Sequence, residues 1–519
     1  MFDILTKSIL NDLLTKWISF SDVGRLDSAV CEPVKRKQFL DLLPTESFGK
    51  RTTLMSRYSG NPTFLTWVAK RSVKLRLNEQ VFDDVIVGNL ELLRRVLTTI
   101  GPSLKRVDQS KDSRLGTEYV DKFILELSLR CTNLQECEFL TFSDAPLTAL
   151  LARNPHMRSV KLGKCASNKE SDMLLTVSSL CPNIDNIDMN FSAPTGSFKC
   201  FMDSIPVNLT RLCLLSQDFS HTSLLNLLSQ CHQLTELRIA QYVGLPDPSV
   251  KLVHPCLQLF RFHSQDIATI APVLSTIMPN LVTLIAVALT RHSNEYDTSA
   301  NVTLVLNSFR YLRQLIMDQP EGESKLGTFS ALSTAPGMVD PVPANTKRKK
   351  TQLPKAGIFL EELFSRNVSE VAKTMKLPAL RSVGCEQLYQ FSAPSAELKR
   401  VVVTGWLYQS DVNIKKLSNL EEIELEIARG VGDEGMRHIA RQNPHLRVLR
   451  VTQKPSSSDS YYTVISAAGL WNILQHCPLL HTVVYTVQRY DKSVGKTDYL
   501  LHRMCLKFYP NIKHFEYSV

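Results

Sequence analysis

No stretch of this 519-residue sequence stays apolar for the length of a membrane span, although 44% of its residues are hydrophobic and 21% charged. The twelve cysteines include no C-x-x-C pair, so neither a zinc site of the usual spacing nor a disulfide framework is indicated. The twelve histidines form no H-E-x-x-H, and no serine sits in G-x-S-x-G. His438, His445, His476 and His481 fall at the borders of expected helices and strands, where packing or solvent contact accounts for them. The expectation is a protein that is not an enzyme, with no cofactor and no metal. A secretion signal is also lacking: Asp3, Lys7 and Asp12 interrupt the apolar pattern of MFDILTKSILNDLL, which reads as an amphipathic helix. An intracellular place, cytoplasmic or nuclear, and no membrane partner follow as expectations.

The formal charge is +10, and residues 1–130 hold 21 Lys and Arg against 16 Asp and Glu. A dense cluster, Lys347, Arg348, Lys349 and Lys350, stands apart. Aromatics are not interleaved with these basic residues as in single-strand nucleic-acid binders, so nucleic acid is not the expected partner.

What the sequence has is a period. In residues 417–451, Leu420, Ile423 and Leu425 follow L-x-x-L-x-L, the spacing of a short strand that turns Ile423 and Leu425 to one side. Gly430, Gly432 and Gly435 reverse the chain, Asp433 is placed to cap a helix, and Met436, Ile439 and Ala440 recur on one helical face. Pro444 ends that helix, and Leu446, Leu449 and Val451 open the next strand 26 residues after the first. A strand, a crossover helix and a parallel strand at this period describe a leucine-rich repeat. The same glycines spell G-x-G-x-x-G, but no acidic residue follows a second strand to hold a ribose, and the repeat accounts for them without a nucleotide.

Anchors recur at Leu104, Leu134, Met157, Ile184, Leu209, Leu234, Leu257, Leu281 and Leu312, and again at Leu380, Leu398, Leu420, Leu446, Leu480 and Ile512. Val73-Lys-Leu75-Arg-Leu77 reads as a first irregular strand. Cys131, Cys181, Cys231 and Cys477 each stand just before a strand, as small buried hydrophobes. Residues 319–357 combine Pro, Gly, Ser and Thr without periodicity and read as a disordered insert. Within it, Lys347 to Lys350 resembles a nuclear-import signal; the other reading is a solvated charge run.

Residues 1–43 follow a different rule. Leu5, Ile9, Leu10, Leu13, Leu14, Trp17 and Ile18 form a helical stripe, and Asp22, Val23, Leu26, Val30 and Cys31 continue it. The run ILTKSILNDLLTKWISFSDVGRLDSAVC resembles an F-box, with Thr6 where the family has proline and Ser8 where it has an acid. Ser223 to Leu234 is similar to the cysteine-containing type of leucine-rich repeat that accompanies F-boxes. The resemblance implies a substrate-recognition subunit of a cullin-RING ubiquitin ligase, with Leu5, Ile9, Leu10, Leu13, Leu14, Trp17, Ile18, Val23, Leu26 and Val30 on the ligase adaptor. The alternative is a non-enzymatic scaffold whose N-terminal helices only cap the solenoid.

The expected architecture is an α/β leucine-rich-repeat solenoid of about fourteen repeats, with a parallel strand ladder on a concave face and helices on the convex one. Its segments are an F-box-like helical segment at 1–43, a connector at 44–72, repeats at 73–318, the insert at 319–357 and repeats at 358–519. On such a ladder, residues flanking the core-directed ones point outward. The expected surface for a protein target comprises Glu236, Arg238, Arg400, Val402, Glu422, Glu424, Glu426 and Arg450, with Glu424 and Arg450 placed to pair across neighbouring strands. Trp406 is either an exposed anchor or the filler of a short repeat.

Overall fold

The computed structural model describes residues 25–42, 62–71, 77–109, 115–165, 172–243, 252–264, 267–288, 299–317, 360–364, 379–385, 398–403, 417–427, 432–453, 467–487 and 514–518, apart from a few single residues inside these spans. Two compact units follow one another along the chain, Met1–Gly244 and Leu245–Val519. The same local rule builds both.

The first unit opens with helices α1 (Pro33–Leu42) and α2 (Pro62–Arg71). Strands and helices then alternate: β1 (Glu79–Phe82), α3 (Asp84–Val87), α4 (Leu90–Ile100), β2 (Arg106–Gln109), α5 (Thr117–Arg130), β3 (Glu136–Phe142) and α6 (Asp144–Arg153). The series continues through β4 (Ser159–Cys165), α7 (Met173–Leu180), β5 (Asn186–Met189), α8 (Thr195–Asp203), β6 (Arg211–Ser220), α9 (His221–Gln230) and β7 (Glu236–Val243). Each strand pairs in parallel with its predecessor. Parallel neighbours need a crossover, and the helices supply it, packing side by side from α4 to α9.

The second unit contains β8 (Leu259–Ser264), α10 (Ile267–Ile277), β9 (Thr283–Ala288), α11 (Ser299–Ser308), β10 (Gln314–Met317), β11 (Glu362–Phe364), β12 (Ser382–Cys385) and β13 (Arg400–Val403). It ends with β14 (Glu422–Ile427), α12 (Asp433–Gln442), β15 (Val448–Gln453), α13 (Ala467–His476), β16 (Thr482–Val487) and β17 (His514–Ser518). Among the described residues its ten strands form a second consecutive parallel ladder. Each unit is thus an α/β arrangement of the solenoid type.

The core follows from a two-residue period and one fixed anchor. Two residues ahead of β2, β3, β7, β9 and β15 stand Leu104, Leu134, Leu234, Leu281 and Leu446, each 0% exposed. The second residue of each of these strands is also buried: Val107, Cys137, Leu237, Leu284 and Leu449. Each such aliphatic side chain contributes about 1.5–3 kcal/mol of burial free energy, repeated from strand to strand.

The helix ends are fixed by a second recurrent slot. Cys131, Cys181 and Cys231 are the C-caps of α5, α7 and α9, and Cys477 follows α13 in the same place, its N–H donating to the Ile473 carbonyl at 3.0 Å. Asparagine fills this slot after α6 and α12. Asn154 Oδ1 accepts from the Leu134 N–H at 3.0 Å, and its amide donates to the Cys131 and Leu150 carbonyls. Asn443 does the same with the Leu420 N–H and the Leu417 and Ile439 carbonyls. Both asparagines are 0% exposed, so each satisfies the polar backbone of the preceding turn where water cannot.

Three sequence expectations need correction. The expected strand at residues 73–77 lies outside the described residues apart from Leu77, a fully buried anchor two residues ahead of β1. The second ladder resumes after the insert at Leu360 and β11, one strand before Leu380. The N-cap of α12 is Gly432, and Asp433 lies in the first turn, where its charge favours the helix N-terminus. About a third of the expected connector is α2, whose Leu65, Val68 and Ala69 are buried and which packs against α4.

Candidate functional site

The first and third residues of each strand point away from the helices. In the first unit this face is a mosaic of opposite charges. Arg106 lies 2.9 Å from Asp108 on its own strand and 3.4 Å from Glu136 on the next. Lys161 meets Glu138 at 3.3 Å across β3 and β4, which the register places side by side. Arg211 lies between Asp188, at 3.8 Å, and Glu236, at 3.4 Å, and Glu236 also holds Arg238 at 2.5 Å. These side chains are half-buried, so each pair contributes tenths of a kcal/mol and mainly fixes rotamers. Burial pushes the Asp108 carboxyl up, against the pull of Arg106. Glu236 and Arg238, both expected at a target-binding surface, therefore stand on the outward face as an ion pair.

The second unit divides its face differently. Across β9 to β13 the outward side chains are buried except Glu362, which is half-buried: Thr283 is 8% exposed, Ile285 3%, Gln314 8%, Ile316 4%, Ser382 4% and Val402 2%. A polar row crosses these strands, in which Thr283 Oγ1 donates to Gln314 Oε1 at 3.2 Å and Gln314 Nε2 donates to Glu362 Oε2 at 2.7 Å. Burial raises the Glu362 carboxyl above its ordinary range, although the charge of Arg400 and the Gln314 hydrogen bond oppose the shift. Arg400 reaches Glu422 at 3.5 Å and Glu424 at 3.6 Å.

The outward rows reopen at β14, where Glu422, Glu424, Arg450, Thr452, Thr482 and Val484 are all half-buried. Arg400, 6% exposed, and Val402 are thus withdrawn from any surface that a partner could reach in this conformation. The register sets Glu424 opposite Arg450, as expected, yet its carboxylate is paired with Arg400 on the other side. The Glu426 side chain lies outside the described residues, as do Trp406 and Lys347 to Lys350.

Of the expected adaptor-binding residues, Leu5, Ile9, Leu10, Leu13, Leu14, Trp17, Ile18 and Val23 also lie outside the described residues; Leu26 and Val30 are half-buried. Sequence reading missed Asp27, which is 0% exposed and contacts Arg36, Trp67 and Arg71. Its partners lie 9, 40 and 44 residues away, beyond any local pattern.

Among the described residues, no group of three or more His, Cys, Asp and Glu side chains is placed to hold a metal ion. Buried thiols are chemically quiet: burial pushes Cys131, Cys181, Cys231 and Cys477 up to about 12. No helix among the described residues is long and apolar enough to cross a membrane.

No family model matches the sequence, and no curated protein does. Solved structures give distant likenesses. A chain in a crystal structure of the Rad7 and Elc1 complex in yeast aligns at 11% identity and a TM-score of 0.38, over 86% of this chain and 97% of that one. An internalin from Listeria monocytogenes aligns at 11% identity and a TM-score of 0.25, over 80% and 92%. The leucine-rich repeat-containing protein LegL7 from Legionella pneumophila aligns at 11% and 0.25, over 74% and 93%.

Proposed function

We propose that this chain is a leucine-rich-repeat scaffold that binds other proteins through the strand face of its ladders and performs no chemistry itself. One observation carries the reading. The described helices lie on one side of each ladder, while the other side carries rows of half-buried charged and polar residues, from Arg106 to Arg238 in the first unit and from Glu422 to Thr482 in the second. Such rows offer a partner many regularly spaced contacts at the strand separation of about 4.8 Å, without requiring any one residue to dominate.

The test uses the full chain. Arg238→Glu and Arg450→Glu reverse one charge on each open part of the face, and Glu118→Arg reverses an exposed charge on the helix side. Captured partners should be lost with the first two and kept with the third. Loss with Glu118→Arg alone, with both face variants retaining every partner, would overturn the reading.

A narrower reading makes the chain the substrate-recognition subunit of a cullin-RING ubiquitin ligase. The helical run around Leu26 and Val30, followed by α1, supports it, since those residues match the F-box spacing. Co-elution of the full chain with a purified ligase adaptor, abolished by Leu26→Asp and Val30→Asp, is the expected result. A chain that folds and never co-elutes leaves the scaffold reading standing and removes this one.

A further inference from the structure

The first unit has a polar junction that the ladder does not require. Asp27 belongs to the helical stretch before α1, and its side chain is 0% exposed. Its Oδ1 accepts from Arg36 Nε, on α1, at 2.7 Å. Its Oδ2 accepts from Trp67 Nε1 at 3.1 Å and pairs with the charge of Arg71, whose Nε lies 3.0 Å away, both on α2. Two hydrogen-bond donors and a further guanidinium, from two helices, therefore converge on one carboxylate. The helix carrying two of them is itself seated on the ladder, with Leu65, Val68 and Ala69 buried and α4 beside it.

We propose that Asp27 is a positioning residue that sets the direction in which the N-terminal helical segment leaves the first ladder. A buried carboxylate without donors is costly, so the segment is held wherever Arg36, Trp67 and Arg71 can all reach it. That geometric demand is narrow, because the three side chains approach two oxygens from different helices. Removing the carboxylate takes away the acceptor that Arg36 and Trp67 share and the ion-pair partner of Arg71, and the apolar packing that remains would tolerate sliding.

The consequence for binding rests on the scaffold reading: a partner held by the N-terminal segment would face a partner on the strand rows at a fixed angle. The test needs neither partner, so its failure is distinct from the failure of that reading. Spin labels on non-canonical residues at Val34 and Leu129, 64% and 57% exposed, report the direction of α1 relative to α5 in the full chain. The wild-type chain should give a single narrow distance. Asp27→Ala should lose it for a broad distribution while the thermal unfolding of the ladder stays in place. Arg71→Gln should broaden the distribution in the same way and serves if Asp27→Ala does not fold. A distance that stays narrow in either folded variant overturns the proposal, as does a ladder that unfolds earlier in step with the broadening.

Discussion

A single buried slot, where a helix ends and the next strand approaches, shows how local chemistry decides stability in this chain. Cysteine fills it by size, and asparagine fills it by bonding. Asn443→Ala would strand the buried Leu420 N–H and open a small void, so a loss of about 2–4 kcal/mol is expected from urea unfolding. The sequence held a signal for the asparagines that was overlooked: Asn154-Pro-His-Met157 and Asn443-Pro-His-Leu446 repeat the C-x-x-L spacing with asparagine in place of cysteine. Glu362 has the opposite sign. Its pKa is raised in the folded chain, so stability falls as pH rises from the ordinary glutamate range through the folded value, and the cost is complete above it. Glu362→Gln keeps an oxygen for the Gln314 amide, and Arg400 keeps Glu422 and Glu424. Unfolding midpoints should favour the variant at neutral pH and converge with wild type in acid; a variant weaker at neutral pH would count against burial as the cause.

Strands were easier to read than their margins. Anchors from Leu104 to Leu312 and from Leu380 to Leu480 are all at most 5% exposed, because a leucine every two dozen or so residues leaves little freedom in where a strand begins. Leu360 escaped notice because β11 is only three residues long and follows the long insert, with no neighbour at the usual period. Exposure of the outward rows was not legible at all: Val402 and Val484 have the same place in their strands, yet one is buried and the other half-buried. Glycine has a definite task at one place. A Cβ on Gly163 would stand 2.9 Å from both the Cα and the carbonyl carbon of Leu140, backbone atoms of the adjacent strand. Gly163→Ala should therefore push β3 and β4 apart and cost about 1–3 kcal/mol in thermal unfolding, whereas a neutral result would mean that the strands yield freely.

At the scale of the molecule, each ladder is held by contacts between neighbours, so damage should spread along the chain by adjacency. Leu449→Ala removes a fully buried side chain from β15 and should cost about 2–5 kcal/mol. Hydrogen exchange should then quicken first in β14, β15 and β16, with β2 to β4 of the first unit unchanged. Uniform quickening across both units would show a cooperativity that neighbour contacts do not supply.

The cysteines in the capping slot also make a clock. Cys131, Cys181, Cys231 and Cys477 are at most 2% exposed, whereas Cys200 and Cys256 lie in the open. A thiol-specific reagent should therefore modify Cys200 and Cys256 at once and each of the four capping-slot sulfurs only when its own turn of the ladder breathes. Mass spectrometry of the labelled peptides would time that breathing slice by slice, with no probe introduced.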